Sequence, residues 1–89
     1  MIDRIKNDVN EVKDMMQELM EDRSVPKNIR NAVKEAFDKI NVEKPDSVAI
    51  SAAIYSLDDI SNDINMPSHT RTAIWEIISR VESIKENIK

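Results

Sequence analysis

The sequence predicts an all-α fold, a single domain over residues 1–89 that forms an antiparallel four-helix bundle from two repeated helical hairpins. Three observations predict this fold. The chain contains no glycine, which disfavours folds with many tight turns. Its apolar residues recur at helical spacing, and its second half repeats features of its first half. The two hairpins are expected over about 1–44 and about 45–89.

The internal repeat is clearest around two prolines, Pro26 and Pro67, which lie 41 residues apart. Self-similarity at such a period is typical of repeated helical hairpins. It predicts that equivalent residues occupy equivalent places in two similar helix pairs. The residues that are identical at this offset are Asp22, Pro26, Arg30, Ala32 and Glu35 in the first half, and Asp63, Pro67, Arg71, Ala73 and Glu76 in the second.

The first helix is predicted to extend to about Met20, because its apolar residues follow the spacing of an amphipathic helix. These residues are Ile2, Ile5, Val9, Val12, Met16 and Leu19. The second and fourth helices are predicted to have Pro26 and Pro67 at their first helical position, where proline is well tolerated. Their predicted core faces are Ile29, Ala32, Val33, Ala36, Phe37 and Ile40 in the second helix, and Thr70, Ala73, Ile74, Ile77, Ile78 and Val81 in the fourth.

The third helix is predicted from about Asp46 to Ser61. Its small residues allow close approach of its neighbours, so it is expected to be the most buried of the four helices. Two aspartates, Asp22 and Asp63, precede the helices that begin with proline. They are predicted to cap those helices by accepting hydrogen bonds from amides of the first turn.

The composition excludes several classes of function. The chain has no cysteine, so disulfides, thiolate metal sites and cysteine nucleophiles are excluded. Without glycine it cannot form the glycine-rich loops that bind phosphates or dinucleotides. Its apolar runs are far shorter than a membrane span. We therefore expect a soluble cytoplasmic protein with no cofactor, no small-molecule substrate and no membrane contact.

The sequence predicts neither a metal site nor a catalytic site. His69 is the only histidine, and no spacing matches the Glu-x-x-His pair of di-iron bundles, so we interpret it as a solvated residue in the first turn of its helix. Asp58 and Asp59 are neighbours in a helix and point about 100° apart, so at most one of them can face the core. The sequence favours a protein that is not an enzyme.

Basic residues form a candidate phosphate-binding ridge on the second helix. They are Arg23, Lys27, Arg30 and Lys34, and their spacing would align them along one exposed side if Arg23 joins the stripe of the helix. The total net charge of −4 and the interleaved Glu35 and Asp38 favour instead a solvated face that complements acidic neighbours. Segments 1–22 and 45–66 each have a net charge of −4, whereas segment 23–44 has +3.

Trp75 aligns with Lys34 in the repeat, which places the only tryptophan outside the main core seam. Tryptophan is enriched at the energetic centres of protein interfaces, so Trp75 and the nearby Arg71 are candidates for a partner interface. The competing interpretation is local, with the indole packed over a helix end of its own bundle. The sequence does not decide between these two interpretations.

Two resemblances to known families bear on the fold. The turn at Asp22 followed by Ile29-Arg30-Asn31-Ala32, repeated at Asp63 and Thr70-Arg71-Thr72-Ala73, resembles helical hairpins of the HEAT type. A closer resemblance covers nearly the whole chain and is to a small archaeal family known only as an uncharacterised protein family. It implies an archaeal source and a compact helical fold, and it implies no activity. The segments that carry it are Met20-Glu21-Asp22-Arg23-Ser24-Val25-Pro26-Lys27-Asn28-Ile29-Arg30, Ile60-Ser61-Asn62-Asp63 and Met66-Pro67-Ser68-His69-Thr70-Arg71-Thr72.

Two functional hypotheses follow. The leading prediction is a non-enzymatic helical interaction module that binds a protein partner or forms a small homo-oligomer, such as a homodimer. The alternative is a nucleic-acid-binding or ribosome-associated protein that uses the basic ridge of the second helix. Salt-dependent binding of RNA would distinguish the alternative from the leading prediction.

Overall fold

The computed structural model of the chain describes residues 2–88, with side chains for residues 4–88. It contains four α-helices joined by short links, which confirms the predicted all-α fold. The helices are α1 (Ile2–Glu21), α2 (Lys27–Ile40), α3 (Ser47–Ile60) and α4 (Ser68–Asn87). The side chain of Ile2, the first residue of the predicted seam, lies outside the described residues.

The four helices close into a ring. Each helix packs against its neighbours in the chain, and α1 also packs against α4. Short links between adjacent packed helices give an antiparallel bundle, as predicted. The hairpins therefore close on each other and do not stack into an open superhelix of the HEAT type. Helices α1 and α4 have 20 residues, whereas α2 and α3 have 14. The two longer helices, α1 and α4, therefore extend beyond the link between α2 and α3.

The hydrophobic core follows the internal repeat. Residues at equivalent positions of the two hairpins are buried together, because the repeat places the same helix faces toward the bundle axis. The residues before the two helix-leading prolines, Val25 and Met66, are also buried and anchor the turns to the core. The equivalent buried pairs are Val9 and Ile50, Val12 and Ala53, Met16 and Leu57, Ile29 and Thr70, Val33 and Ile74, Ala36 and Ile77, and Ile40 and Val81.

Helix α3 has the smallest exposed share, as expected from its small residues. Five of its 14 residues are exposed, against seven of 14 in α2 and 12 of 20 in α4. The exposed residues nevertheless include Val48 and Tyr55, which face away from the core. No apolar outer face was predicted for α3.

The starts of α2 and α4 differ from the prediction by one residue. Pro26 has ψ 147 and Pro67 has ψ 147, which is extended backbone, so each proline is the N-cap and helical geometry begins at Lys27 and Ser68. Each proline carbonyl still accepts the first helical hydrogen bond at 3.0 Å, from the amide of Arg30 or Arg71. The prediction that the prolines occupy the first helical position was wrong. Their carbonyls accept helical hydrogen bonds, but their ψ angles are extended and not helical.

Candidate interaction surfaces

Asp22 and Asp63 stabilise the turns between the helices of each hairpin. Asp22 Oδ1 accepts hydrogen bonds from the Ser24 amide at 2.9 Å and the Ser24 hydroxyl at 2.7 Å. Asp63 Oδ1 accepts from the Asn65 amide at 2.8 Å. These are Asx turns, in which the carboxylate binds the backbone two residues further on.

The prediction that these aspartates cap α2 and α4 is therefore wrong. Among the described side chains, none donates or accepts a capping hydrogen bond at the N-cap of either helix. The physical reason is distance along the chain, since each aspartate lies four residues before its proline. The carboxylate instead accepts a hydrogen bond from the nearer amide, two residues further on in the turn. By contrast, Asp46 caps α3 and accepts from the Ala49 amide at 2.8 Å.

The same two turns are also connected to each other. Asp63 Oδ2 accepts a hydrogen bond from Asn28 Nδ2 at 2.7 Å, and Ser24 Oγ lies 3.4 Å from His69 Nε2. Asn28 and His69 are equivalent in the repeat, although their partners, Asp63 and Ser24, are not. His69 is exposed, as expected, but it belongs to this link between the hairpins.

The hydrogen bonds of the turn between α1 and α2 change the acidity of Asp22. The Ser24 hydroxyl and then the Ser24 amide lower the pKa of the Asp22 carboxyl, and the nearby His69 lowers it further. Hydrogen bonds to a carboxylate favour its charged form. The turn is therefore held most firmly when Asp22 is ionised.

Arg71 is fixed within its own hairpin. Its Nη1 donates to the Ser61 carbonyl at 2.6 Å and its Nη2 donates to the Asp63 carbonyl at 2.8 Å, with the side chain half-buried. The guanidinium thus connects α4 to the end of α3. Arg71 therefore has a structural role within its hairpin, and its part in a partner interface stays a prediction.

Arg30 occupies the equivalent position in the first hairpin and behaves differently. Its Nε is buried and has no hydrogen-bond partner within the described part of the chain. The residues that correspond to Ser61 and Asp63 are Met20 and Asp22. Helix α1 continues to Glu21, two residues past the equivalent of the end of α3. The same arginine in the repeat therefore has two different environments.

Three of the four ridge residues come together around a shallow groove of about 350 Å³ between the end of α1 and the start of α2. We call it the basic groove, and its lining residues are Met20, Glu21, Lys27, Arg30, Asn31 and Lys34. Lys34 Nζ also lies 3.3 Å from Asp38 Oδ2, in an exposed pair. Arg23 is exposed in the turn before α2 and does not line the groove. The predicted ridge is thus reduced to Lys27, Arg30 and Lys34.

Trp75 lies on the outer surface with 59% of its area exposed. Its position outside the core seam, predicted from the repeat, is confirmed. Trp75 follows Arg71 by one helical turn, and Arg71 contacts the end of α3, so the indole lies on the side of α4 that is nearer to α3. On α3 itself, Tyr55 is 76% exposed and Val48 is 75% exposed. We call these three residues the aromatic face.

The signal for Tyr55 and Val48 was present in the sequence but ambiguous. They are seven residues apart, which places them on one stripe of α3, opposite the stripe of buried residues. Because α3 is apolar on both faces, periodicity alone cannot show which stripe is buried. The repeat resolves this ambiguity, since Val9 and Val12 of α1 are equivalent to Ile50 and Ala53.

The charged residues that follow Tyr55 on α3 are acidic. Asp58 and Asp59 are both exposed on α3, and segment 45–66 contains four acidic residues and no basic residue. Over the described residues, no group of three or more His, Asp or Glu side chains is arranged to hold a metal ion. None of the described helices combines the length and the apolar character needed to cross a membrane.

The fold and these surfaces define a small all-α protein with an aromatic, acidic face on one hairpin and a basic groove on the other. The chain belongs to UPF0147, an uncharacterised protein family that matches residues 1–84. A UPF0147 protein from Methanothermobacter thermautotrophicus is 49% identical over 78 residues, which cover 86% of this chain and 76% of that protein. The Pyrococcus furiosus protein PF0239 is 41% identical over 83 residues, which cover 91% of this chain and 89% of that protein.

A solved structure agrees with the fold described above. The crystal structure of a UPF0147 protein from Thermoplasma acidophilum superposes with a TM-score of 0.84 at 34% identity, covering 91% of this chain and 98% of that chain. The predicted resemblance to a small archaeal family is therefore confirmed. The family is uncharacterised, so these comparisons support the fold and indicate no activity.

Proposed function

We propose that this chain is a non-enzymatic protein–protein interaction module of the cytoplasm, and that its aromatic face binds a basic, partly apolar segment of a protein partner. The observation that carries the proposal is the exposure of Trp75, the only tryptophan, at 59%. Tryptophan buries a large apolar surface with few rotatable bonds, so it is the residue most enriched at interface hot spots.

The neighbouring side chains extend this surface. Tyr55 and Val48 are exposed on the outer stripe of the adjacent helix, so α3 and α4 together expose three large apolar side chains. A partner that covered the three side chains would bury apolar surface at about 25 cal/mol per Å² before the costs of association. The aromatic face can therefore form the centre of an interface.

The charges favour a basic partner. Asp58 and Asp59 are exposed on the helix that carries Tyr55 and Val48, and segment 45–66 has no compensating basic residue. Lysine and arginine side chains of a partner would pair with these carboxylates and could lie over the indole or phenol ring in cation–π contacts. Complementary charge at the edge of an apolar centre also gives specificity.

The same charges disfavour a symmetric homodimer through this face. A two-fold interface brings the same patch of each copy together, so the acidic residues of two α3 helices would approach one another. The predicted homo-oligomer therefore remains a prediction. Sedimentation over a range of concentrations tests it. A symmetric dimer that is lost when Asp58, Asp59 or Trp75 is replaced would contradict the choice of a basic partner.

Trp75 itself reports on the proposed binding, because its fluorescence is the only tryptophan signal of the chain. The probe is a synthetic amphipathic helix of leucine and lysine, and its control is the same helix with glutamate in place of lysine. We expect the lysine peptide to shift Trp75 emission to shorter wavelength and to protect it from acrylamide, and the glutamate peptide to do neither. Equal effects of both peptides, or no effect of either, would contradict the proposal.

A matched pair of valine variants localises the binding. Val48→Ser removes an apolar group of the aromatic face that is 75% exposed, and Val42→Ser removes one that is 50% exposed in the link between α2 and α3. Both changes are on the surface and should leave the fold intact. Val48→Ser should weaken the lysine peptide, whereas Val42→Ser should not. Equal losses would show that the peptide binds elsewhere.

A further inference from the structure

We propose that the partner of the aromatic face is a second copy of this chain, and that Trp75 of one copy occupies a cavity at the end of the other copy. This inference rests on the proposed function, because it takes the aromatic face as the binding surface and names what that face binds. The cavity of about 540 Å³ lies between the first half of α1, the link between α2 and α3, and the end of α4. We call it the end cavity, and its apolar lining residues are Ile5, Val9, Val42, Pro45 and Ile88.

The end cavity arises from the unequal lengths of the helices. Helix α1 begins before Lys6, the equivalent of the first residue of α3, and α4 continues past Val81, the equivalent of the last residue of α2. The apolar seams of the two longer helices therefore extend beyond the part of the bundle that has four helices. There Ile5 and Ile88 pack against the core and stay partly exposed.

The end cavity is large enough for an aromatic side chain. Its volume lies within the range of about 300–1,000 Å³ that is typical of pockets for small molecules. Val42, which lines it, is 50% exposed. Over the described residues the exposed large apolar side chains are Val42, Val48, Tyr55, Ile64 and Trp75. A contact between the aromatic face and the end cavity would cover all of these except Ile64.

Trp75 cannot fill the end cavity of its own chain. Ile88 follows Trp75 by 13 residues, which is about 20 Å along a helix and farther than an indole side chain extends. Trp75 instead lies toward the other end of the bundle, because Arg71, one turn earlier, contacts the end of α3. The contact therefore joins different surfaces of two copies. Such a heterologous contact does not bring two α3 helices together, as a symmetric dimer through the aromatic face would.

A carboxylate lies beside the aromatic side chains. Asp58 follows Tyr55 by three residues, so both are on the same side of α3. Asp58 is also level with Trp75, because α3 and α4 are antiparallel and Arg71 binds the Ser61 carbonyl. Asp58 and Trp75 each lie about one turn away from that contact, in the same direction. The surface that enters the cavity is therefore aromatic and acidic.

The end cavity has the complementary charge. Among the described residues its basic lining residues are Lys6, Lys13 and Lys44, and its acidic lining residue is Glu43. Lys13 Nζ donates to Asn41 Oδ1 at 3.2 Å, which holds the ammonium group beside the link and leaves its charge uncompensated by the neutral amide. Lysine stems add apolar surface, and their ammonium groups pair with carboxylates or lie over aromatic rings. The end cavity is thus a basic, partly apolar site, which is the chemistry that the aromatic face requires.

Sedimentation over a range of protein concentrations tests the contact with one variant for each surface. Trp75→Lys changes the aromatic face, and Val42→Glu places a carboxylate in the end cavity. Each variant should weaken self-association by about tenfold or more. Ile64→Glu is the matched control, because Ile64 is 90% exposed in the turn before α4 and belongs to neither surface, so association should change less than about twofold. A wild type that stays monomeric at every concentration, or equal effects of Val42→Glu and Ile64→Glu, would overturn the proposal.

A mixture of the two variants tests the pairing of the two surfaces. Trp75→Lys contains no tryptophan, so Trp75 of Val42→Glu is the only indole in the mixture. Its emission should shift to shorter wavelength when Trp75→Lys is added, because that variant supplies an intact end cavity. The double variant, which has neither surface intact, is the control and should cause no shift. Equal effects of the single and double variants, or self-association of Val42→Glu alone, would overturn the proposal.

The leucine–lysine peptide separates failure of this inference from failure of the proposed function. Val42→Glu keeps the aromatic face and should bind the peptide as wild type does. If the peptide binds but the two variants do not associate, the second copy is excluded as the partner and the proposed function stands. If neither the peptide nor the second copy binds, both the inference and the proposed function are overturned.

Discussion

Thr70 occupies a core position of α4 that the first hairpin fills with isoleucine. Thr70 is 0% exposed, and its Oγ1 has no hydrogen-bond partner in the described part of the chain. The equivalent residue, Ile29, is equally buried. A buried hydroxyl without a partner loses its hydrogen bonds to water and gains nothing in return. Replacing Thr70 by valine should therefore stabilise the protein.

The expected magnitude follows from the chemistry of this substitution. Valine has nearly the volume of threonine and the same branching at Cβ, so packing and helix propensity change little. Measured costs of burying an unpaired polar group are about 1–3 kcal/mol. We expect Thr70→Val to raise the free energy of unfolding by about 1–2 kcal/mol, which is roughly 4–16 °C in melting temperature for a domain of this size.

Urea denaturation followed by circular dichroism measures the change, with an unchanged slope showing that the unfolded state is the same. Thr72→Val is the matched control, because Thr72 is exposed on the same helix and donates to the Ser68 carbonyl at 3.2 Å. The control should change stability by less than about 0.5 kcal/mol. If Thr70→Val left stability unchanged or lowered it, the hydroxyl would have a partner and the account of this core position would be wrong.

Two further predictions concern the turns. Arg71→Gln should lower the free energy of unfolding by about 1.5–3 kcal/mol, because two main-chain carbonyls lose a charged donor. Arg80→Gln is the control: it breaks exposed pairs with Glu11 and Glu76 and should lower the free energy of unfolding by less than about 1 kcal/mol in the same denaturation. Equal losses would contradict a special contribution of the two Arg71 hydrogen bonds to stability. The pKa of Asp22 is lower in the folded protein than its ordinary value of 3.8, so its ionisation stabilises the fold above that value and the contribution is lost as pH falls through the folded pKa. The difference in stability between wild type and Asp22→Asn should therefore shrink as pH falls below about pH 4, and a difference that persisted undiminished at low pH would contradict this.

Much of the fold could be predicted from the sequence because the repeat and the apolar periodicity agree. Positions such as Val33 and Ile74 are equivalent in sequence and buried together in the structure. The repeat also fixed the outer position of Trp75, since a lysine occupies the equivalent place. Two independent patterns that predict the same helix face leave little freedom for the arrangement of the bundle.

The turns and the surfaces were less predictable. The donor to an aspartate carboxylate is the amide that the folded turn brings closest, and that amide belongs to Ser24 or Asn65 and not to a helix. Arg30 and Arg71 are identical in the repeat, yet only Arg71 finds two carbonyls. Identical residues at equivalent positions of the repeat therefore have the same place on their helices, but their side chains need not have the same hydrogen-bond partners.

The affinity of Trp75→Lys for the leucine–lysine peptide, measured by calorimetry, is the most direct test of the proposed function. Lysine is the residue at the equivalent position of the first hairpin, so the helix should tolerate it, and circular dichroism of the variant checks the fold. Loss of an interface anchor typically costs more than about 2 kcal/mol, so affinity should fall by about thirtyfold or more. A folded variant that bound the peptide as tightly as wild type would contradict the role of the aromatic face.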